Sequence, residues 1–164
     1  MNYMSGNSFV LKGPMMDLDT DSSAQPERWI PKLHKRQGRR RWESHRLLPY
    51  LTDLQQQGVT ALPGRYLFNE AKNMPILNGN GVDFLLRNQF LIPERYRRFN
   101  LFGWGTIYYE RTAGREPFVR GLRWNGARWA ELDVLVDGYG FTARCAALMY
   151  VHPGIRSHGN DARV

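Results

Sequence analysis

Two apolar runs with alternating side chains meet at the dipeptide Asn125-Gly126, and this feature constrains the fold more than any other. The runs extend over residues 117–124 and 127–136 and are rich in aromatic and β-branched residues. Asparagine and glycine adopt positive φ at the lowest cost, so the pair favours a type I′ turn, whose twist suits antiparallel strands. The sequence therefore predicts a β-hairpin that turns at residues 125 and 126.

A two-residue loop fixes the register of this hairpin. It pairs Trp124 with Ala127, Arg123 with Arg128, Leu122 with Trp129, Arg120 with Glu131 and Val119 with Leu132. Opposite charges across a strand pair are favourable, so Arg120 and Glu131 stabilise the hairpin. Arg123 and Arg128 are an unfavourable pair, which leaves three interpretations: a carboxylate lies between them, they point into water, or they bind an anionic partner.

A third strand precedes the hairpin at residues 101–111. Glycines inside a strand, here Gly103 and Gly105, often mark a bulge or the close approach of another backbone. They predict a sheet that curls towards a small barrel, with residues 112–116 as a loose turn. Residues 141–151 predict a fourth strand, and together these elements predict a curled antiparallel β-meander.

One or two apolar helices are predicted to cover this sheet. Residues 47–56 repeat leucine at helical spacing, and residues 81–90 follow Asn80, a favourable N-cap. Between them, residues 59–68 predict a short strand that is broken at Pro63-Gly64. A sheet covered by separate helices belongs to the α+β class.

The chain has 164 residues, which suits one domain with a hydrophobic core. The predicted division is an extended polar and basic arm over residues 1–46, one α+β domain over residues 47–152 and a tail over residues 153–164. No apolar run approaches the ~20 residues that span a bilayer, and the N-terminus has no signal-peptide pattern. We therefore expect a cytoplasmic protein, or a virion-associated one if a phage encodes it.

Three segments of the chain resemble a family of small uncharacterised bacterial proteins. The shared pattern is an apolar helix followed by LIPE, an aromatic-Gly-Thr-Ile-Tyr strand and a hairpin of the form VRxLxWNGxRW. Here the segments are Leu91–Glu94, Trp104–Tyr108 and Val119–Trp129, within residues 80–136. The resemblance implies a common fold and no activity. The basic arm lies outside it, and the residues after the hairpin lack the acidic segment that is frequent in that family.

The net charge of +8 is concentrated in residues 27–46, where eight Lys and Arg residues accompany two Glu residues. Cationic side chains release counterions from a phosphate backbone, and aromatic rings stack on bases. We therefore expect this arm to contact RNA or DNA, with residues 95–98 as a second basic patch. The predicted nucleic-acid-binding residues are Lys32, Lys35, Arg36, Arg39, Arg40, Arg41, Arg95, Arg97 and Arg98, together with Trp29 and Trp42 as stacking rings.

The sequence contains no catalytic or metal-binding pattern. The four histidines do not occur at metal-ligand spacings, Cys145 is the single cysteine, and no GxSxG, Walker or kinase motif is present. We expect no cofactor, no metal and no enzymatic activity. Three alternatives to nucleic-acid binding stay open: a structural or interaction subunit of a large assembly such as a virion or ribonucleoprotein, a module that docks on an acidic protein surface, and an inhibitor of a host factor.

Overall fold

The computed structural model describes residues 13–20, 29–110 and 116–151. These residues form an α+β fold in which a curled mixed sheet of seven strands, a half-barrel, is accompanied by three α-helices. A separate two-stranded sheet lies nearer the N-terminus. The predicted fold class is confirmed at this level.

The strands and helices have the following bounds. The strands are β1 (Met15–Asp17), β2 (Trp29–His34), β3 (Arg39–Arg41), β4 (Leu47–Tyr50), β5 (Asn100–Phe102), β6 (Thr106–Glu110), β7 (Pro117–Trp124), β8 (Trp129–Leu135) and β9 (Cys145–Tyr150). The α-helices are α1 (Asp53–Gln56), α2 (Gly64–Ala71) and α3 (Gly79–Arg87). Short 3₁₀ helices occupy Ser44–Arg46, Gln89–Leu91 and Glu94–Arg98.

Strand β7 organises the large sheet. β8 pairs along one of its edges, and β5 and β6 share the other edge, where Leu101 pairs with Leu122 and Tyr108 with Phe118. β9 pairs with β5 in parallel, β4 pairs with β9, and β2 pairs with β6. The parallel β5–β9 pair makes the sheet mixed, so the predicted antiparallel meander is not confirmed. The predicted fourth strand is present as β9.

The predicted strand over residues 101–111 is divided at its two glycines. A Cβ on Gly103 would lie 2.5 Å from Val82 Cγ2, and a Cβ on Gly105 would lie 2.8 Å from the Cα of Asn78. The start of α3 therefore packs directly on this backbone, as the close-approach interpretation of the glycines predicts. The break separates β5 from β6, so that β5 pairs with β9 while β6 pairs with β2.

The predicted hairpin forms, but its register differs by two residues from the predicted one. Trp124 pairs with Trp129, and Arg123 pairs with Ala130 rather than with Arg128. The side-chain period of a strand is two, so a shift of two residues leaves each side chain on its predicted face. The predicted faces are therefore correct although the predicted partners are wrong.

The loop chemistry explains the shift in register. Gly126 has a φ of 99°, but Asn125 is not among the residues with positive φ, so the type I′ turn does not form. Instead, the side-chain oxygen of Asn125 accepts hydrogen bonds from the backbone N–H groups of Ala127 and Arg128, at 3.0 and 2.9 Å. Asparagine favours such local side-chain bonds in turns, and here they close a four-residue loop.

Two predicted segments before residue 72 are wrong in type. Residues 47–50 form the edge strand β4, where proline can replace a residue whose N–H is not required. The helix begins only at Asp53, because Thr52 and Gln55 form a capping box there. Residues 64–71 form α2, which overlaps the second part of the strand predicted over residues 59–68.

Helix α3 begins two residues before its predicted start and ties the N-terminal region to the body. Asn78 is its N-cap and accepts a hydrogen bond from the Gly81 N–H at 3.2 Å. The Asn78 amide also donates to the carbonyl oxygens of Leu18 and Lys35, at 2.8 and 2.9 Å. One buried side chain therefore caps α3 and holds two segments of the predicted arm.

The predicted extended arm is not confirmed for residues 29–46. β2 is a strand of the large sheet, and β3 pairs with β1. Residues 1–12 and 21–28 lie outside the described residues, as do most of the predicted loop at 112–116, residue 152 and the predicted tail at 153–164.

Apolar side chains pack on both faces of the sheet. Along β5 and β9, Leu101 and Ala146 belong to the cluster beneath α3, whereas the next residues, Phe102 and Ala147, belong to the cluster beneath α2. This alternation is the period of two expected for strands that are covered on both sides. The central strands are therefore covered on both faces along most of their length.

Candidate functional site

One end of the large sheet carries an arginine at or within two residues of the end of each of four neighbouring strands. β9 and β5 run parallel, so both begin at this end, while the antiparallel strand β7 ends there and β8 begins there. Arg144 directly precedes β9, Arg98 lies two residues before β5, Arg123 is the penultimate residue of β7 and Arg128 directly precedes β8. Strand topology therefore gathers four arginines that are distant in the sequence.

Backbone contacts fix the relative position of these residues. The N–H of Asn100 donates to the carbonyl oxygen of Arg144 at 2.7 Å. Leu101 pairs with Leu122, so Asn100 lies beside Arg123 in the same antiparallel register. Neighbouring strands are about 4.8 Å apart, and four strands therefore distribute the arginine backbones over about 15 Å.

The 3₁₀ helix Glu94–Arg98 adds two more arginines beside this row. The guanidinium of Arg97 lies 4.0 Å from the centroid of the Trp124 ring, and Trp124 meets Trp129 edge-to-face at 5.9 Å between centroids. A guanidinium over a tryptophan face is a favourable cation–π contact. This contact fastens the 3₁₀ helix to the tip of the hairpin.

We call the six residues at this end of the sheet the arginine rim. They are Arg95, Arg97, Arg98, Arg123, Arg128 and Arg144, and all six are exposed. Within the described part of the chain, one of them forms a salt bridge, between Arg97 and Glu94 at 2.9 Å. The Glu94 side chain is 81% exposed, so solvent screens this pair strongly. The rim therefore presents a strong local excess of positive charge.

The acidic residues of β8 form ion pairs with the buried side chain of Arg120. Arg120 is buried and donates to Asp83 at 2.7 Å and to Glu131 at 2.8 Å, and its Nε lies 3.6 Å from Asp133. Burial alone disfavours the charged guanidinium, but the charges of Asp83 and Glu131 outweigh it, and the pKa of Arg120 is raised. These carboxylates therefore bind Arg120 rather than the arginines of the rim.

Arg123 extends the rim to the second face of the sheet. It leaves β7 on the face opposite Trp124, towards Tyr139, whose hydroxyl also lies close to Cys145. Burial raises the pKa of the Tyr139 hydroxyl, and the charge of Arg123 opposes that shift. The positive charge of the rim therefore wraps around the end of the sheet.

Two of the cations predicted to bind nucleic acid at residues 32–41 donate hydrogen bonds to backbone carbonyl groups of the protein itself. Lys35 Nζ donates to the carbonyl oxygens of Lys72 and Met74, at 3.1 and 2.7 Å, just after α2 ends. Arg40 Nε donates to the carbonyl oxygen of Gln37 at 2.6 Å. Burial lowers the pKa of both cations. Lys35 satisfies carbonyl groups near a helix end, where a cation is favourable.

The other four predicted cations of this segment lie at the surface. Lys32 is exposed, with its ammonium 4.9 Å from the centroid of an aromatic ring of β6. Arg39 is exposed and pairs with Asp17 at 3.0 Å, and Arg36 and Arg41 are exposed as well. No contact between described residues joins these four cations to the arginine rim.

The tryptophan predictions have different outcomes. Trp42 is 2% exposed and packs against Phe84 and Tyr150, with ring centroids 5.5 and 5.3 Å away. A ring buried to this extent has no face to offer to a base, so its predicted stacking role is wrong. Trp29 pairs with Glu110 through the backbone of β2. Its side chain is not among those that the structure describes, so its predicted stacking role stays a prediction.

Sequence reasoning named three of the six rim arginines and missed the other three as site residues. Arg123 and Arg128 carried a signal, because two like charges flank the turn of a hairpin. Arg144 carried none, since it meets the others only through the parallel pairing of β9 with β5.

The three comparisons with known proteins give no match. No family model matches the chain, and neither the comparison with curated proteins nor that with solved structures finds a similar protein. Among the described residues, no group of three or more His, Cys, Asp or Glu side chains is placed to hold a metal ion. Within the same part of the chain, no helix has the length and apolar character needed to cross a membrane.

Proposed function

We propose that this protein is a non-enzymatic nucleic-acid-binding module whose contact surface is the arginine rim. The observation that carries the proposal is the convergence of six exposed arginines at the end of four neighbouring strands, with one exposed carboxylate paired to them. The exposed cations at residues 32–41 supply further positive charge. No described carboxylate cluster competes for the rim, because the acids of β8 bind Arg120.

The physical basis is electrostatic. A protein that neutralises phosphates releases condensed counterions, so the logarithm of its affinity falls linearly with the logarithm of the salt concentration. Arginine is well suited to this contact because its planar fork donates two parallel hydrogen bonds to one phosphate. A scaffold of packed strands fixes the backbone positions of these arginines before the ligand arrives, so the main chain loses little entropy on binding.

The test is a salt titration of oligonucleotide binding by the full chain and by two variants of equal charge. The rim variant carries R98Q, R123Q, R128Q and R144Q, and the leader variant carries K32Q, R36Q, R39Q and R41Q. Fluorescence anisotropy of a labelled 20-nucleotide single strand gives Kd between roughly 50 and 200 mM salt, the range over which such affinities change strongly.

The proposal predicts a clear difference between these variants. Six phosphate contacts to a single strand give a slope of about −4 in the log–log plot, at about −0.7 per contact. Removal of four contacts at the rim reduces the slope to about −1, while the leader variant keeps most of it. Absence of binding by the full chain refutes the proposal, and so does an unchanged slope in the rim variant.

A second candidate function, a subunit of a larger assembly, is favoured by the edge strand β2. It pairs with β6 along one edge, and no strand among the described residues pairs with its other edge. Ile30 and Leu33 on this strand are 42% and 41% exposed. Open edges with apolar side chains favour association with another chain. Light scattering at increasing protein concentration tests this candidate, which predicts an oligomer that the I30K/L33K variant does not form.

A further inference from the structure

The arginines of the 3₁₀ helix are arranged differently from the other rim arginines. Each lies over an aromatic ring: Arg95 over Tyr96 at 5.0 Å, Arg97 over Trp124 at 4.0 Å and Arg98 over Phe99 at 4.8 Å. Charge attraction to phosphate alone does not require such contacts. A guanidinium that lies over a ring has a restricted orientation. The 3₁₀ helix therefore offers a ligand oriented, planar guanidinium groups as well as positive charge.

Arg97 has the shortest of these contacts and is held from two sides. Its guanidinium lies over the Trp124 ring, and its Nη2 donates to Glu94 one turn earlier, at 2.9 Å. The Arg97 side chain is still 41% exposed. One face of the guanidinium is therefore covered by Trp124, and the exposed part of the group is available to a ligand with a flat, aromatic surface.

Resting on the proposed function, we infer that the arginine rim takes single-stranded nucleic acid and that an unpaired base stacks on the Arg97–Trp124 pair. Unpaired bases stack on aromatic rings and on guanidinium planes, whereas bases inside a duplex have both faces covered by their neighbours. Phosphates on either side of the stacked base lie against other arginines of the rim. The rim then discriminates the single strand from the duplex through base stacking and not through charge density.

The experiment separates stacking from charge with two lysine variants of the full chain. R97K keeps the positive charge and removes the plane, and R128K makes the same change at a rim arginine that has no aromatic contact among the described residues. Each protein is titrated with a 20-nucleotide single strand, the matching duplex, and the single strand with abasic sites in its central half. RNA and DNA versions are measured in parallel, and inorganic polyphosphate serves as a competitor that has charge but no bases.

The inference predicts a specific pattern of affinities. The single strand binds about tenfold more tightly to the wild type than to R97K, which corresponds to the loss of one stacking contact. Abasic sites weaken wild-type binding by a similar factor and leave R97K binding unchanged. R128K removes the fork at one phosphate contact and no stacking contact, so it weakens binding of the single strand, the duplex and polyphosphate by a similar factor, and abasic sites weaken its binding as they weaken that of the wild type. Stacking involves the base and not the sugar, so the same pattern is expected for the RNA and DNA single strands.

Other outcomes contradict the stacking inference, and they also show whether the proposed function fails with it. If R97K and R128K bind alike, or if abasic sites have no effect, stacking is refuted although a steep salt slope still supports nucleic-acid binding. If the duplex or polyphosphate binds as tightly as the single strand, the rim recognises charge alone and the inference fails. If no polyanion binds the wild type, the proposed function fails together with it.

Discussion

Replacement of Arg120 by leucine tests whether the internal ion cluster stabilises the fold. The Arg120 side chain is 1% exposed, and its partners Asp83, Glu131 and Asp133 are 16%, 34% and 32% exposed. Leucine fills part of the space but leaves three carboxylates without their cation. The substitution therefore removes the Coulombic attraction while the desolvation of the acids persists.

The expected loss of stability is large. Removal of one partner from a buried ion pair costs about 3–5 kcal/mol, because the remaining charge loses its attraction to the partner and is only partly resolvated. For a domain of this length, about 1 kcal/mol shifts Tm by roughly 2–4 °C. The R120L variant is therefore expected to unfold roughly 6–20 °C below the wild type. The contact of the guanidinium with Tyr108, at 5.8 Å, adds to the loss.

The assay is thermal and urea unfolding followed by circular dichroism, with R65L as the matched control. Arg65 likewise donates two hydrogen bonds to a carboxylate, that of Asp137, at 2.7 and 2.8 Å. Its side chain is 77% exposed, so water replaces the lost contact. R65L is expected to unfold close to the wild-type temperature. Equal Tm values for R120L and R65L would show that burial does not set the strength of the Arg120 cluster, and the reasoning would be wrong.

Two further predictions concern packing and pH. Gly105→Ala is expected to lower the free energy of unfolding in urea by about 1–3 kcal/mol, because its Cβ would lie 2.8 Å from the Asn78 backbone. The control is Gly138→Ala, whose Cβ would have a Leu135 side-chain atom as its nearest neighbour at 3.4 Å, and it is expected to be neutral or slightly stabilising. Equal effects of the two substitutions contradict the packing argument. Burial raises the pKa of the Tyr150 hydroxyl above its usual value of 10.0, so the unfolded state loses this proton first and stability falls as pH rises above 10 through the folded-state pKa. The free energy of unfolding of the wild type and of Tyr150→Phe is measured between about pH 8 and about pH 11, on both sides of the usual tyrosine pKa of about 10. If it declines no more steeply with pH in the wild type than in the variant, the prediction is wrong.

Much of the hairpin could be predicted from the sequence because strand periodicity is a local property. Alternation placed Arg120, Leu122 and Trp124 on one face, and this holds although the register moved by two residues. The loop itself could not be predicted with the same success, because Asn125 can act through positive φ or through its side-chain oxygen. The side-chain hydrogen bonds to the loop prevailed.

The error at residues 47–56 has a different cause. Leucine spacing is compatible with a helix, but β9 offers Leu47 and Leu48 an edge with which to pair, and the helix is confined to Asp53–Gln56. A strand partner slightly more than a hundred residues away in the sequence overrides local propensity. Trp42 shows the same limit, because its basic neighbours indicated a surface whereas Phe84 and Tyr150 enclose it in the core.

The sequence by itself determined the protein's charge and the faces of its central hairpin, since charge and side-chain alternation need no knowledge of distant contacts. Tertiary structure decided which of the many arginines lie together. Arg98, Arg123, Arg128 and Arg144 meet because β5 and β9 start at the same end of the sheet at which β7 turns back into β8. Parallel pairing across more than forty residues leaves no periodic signal in the chain, so only the folded sheet brings these charges to one edge.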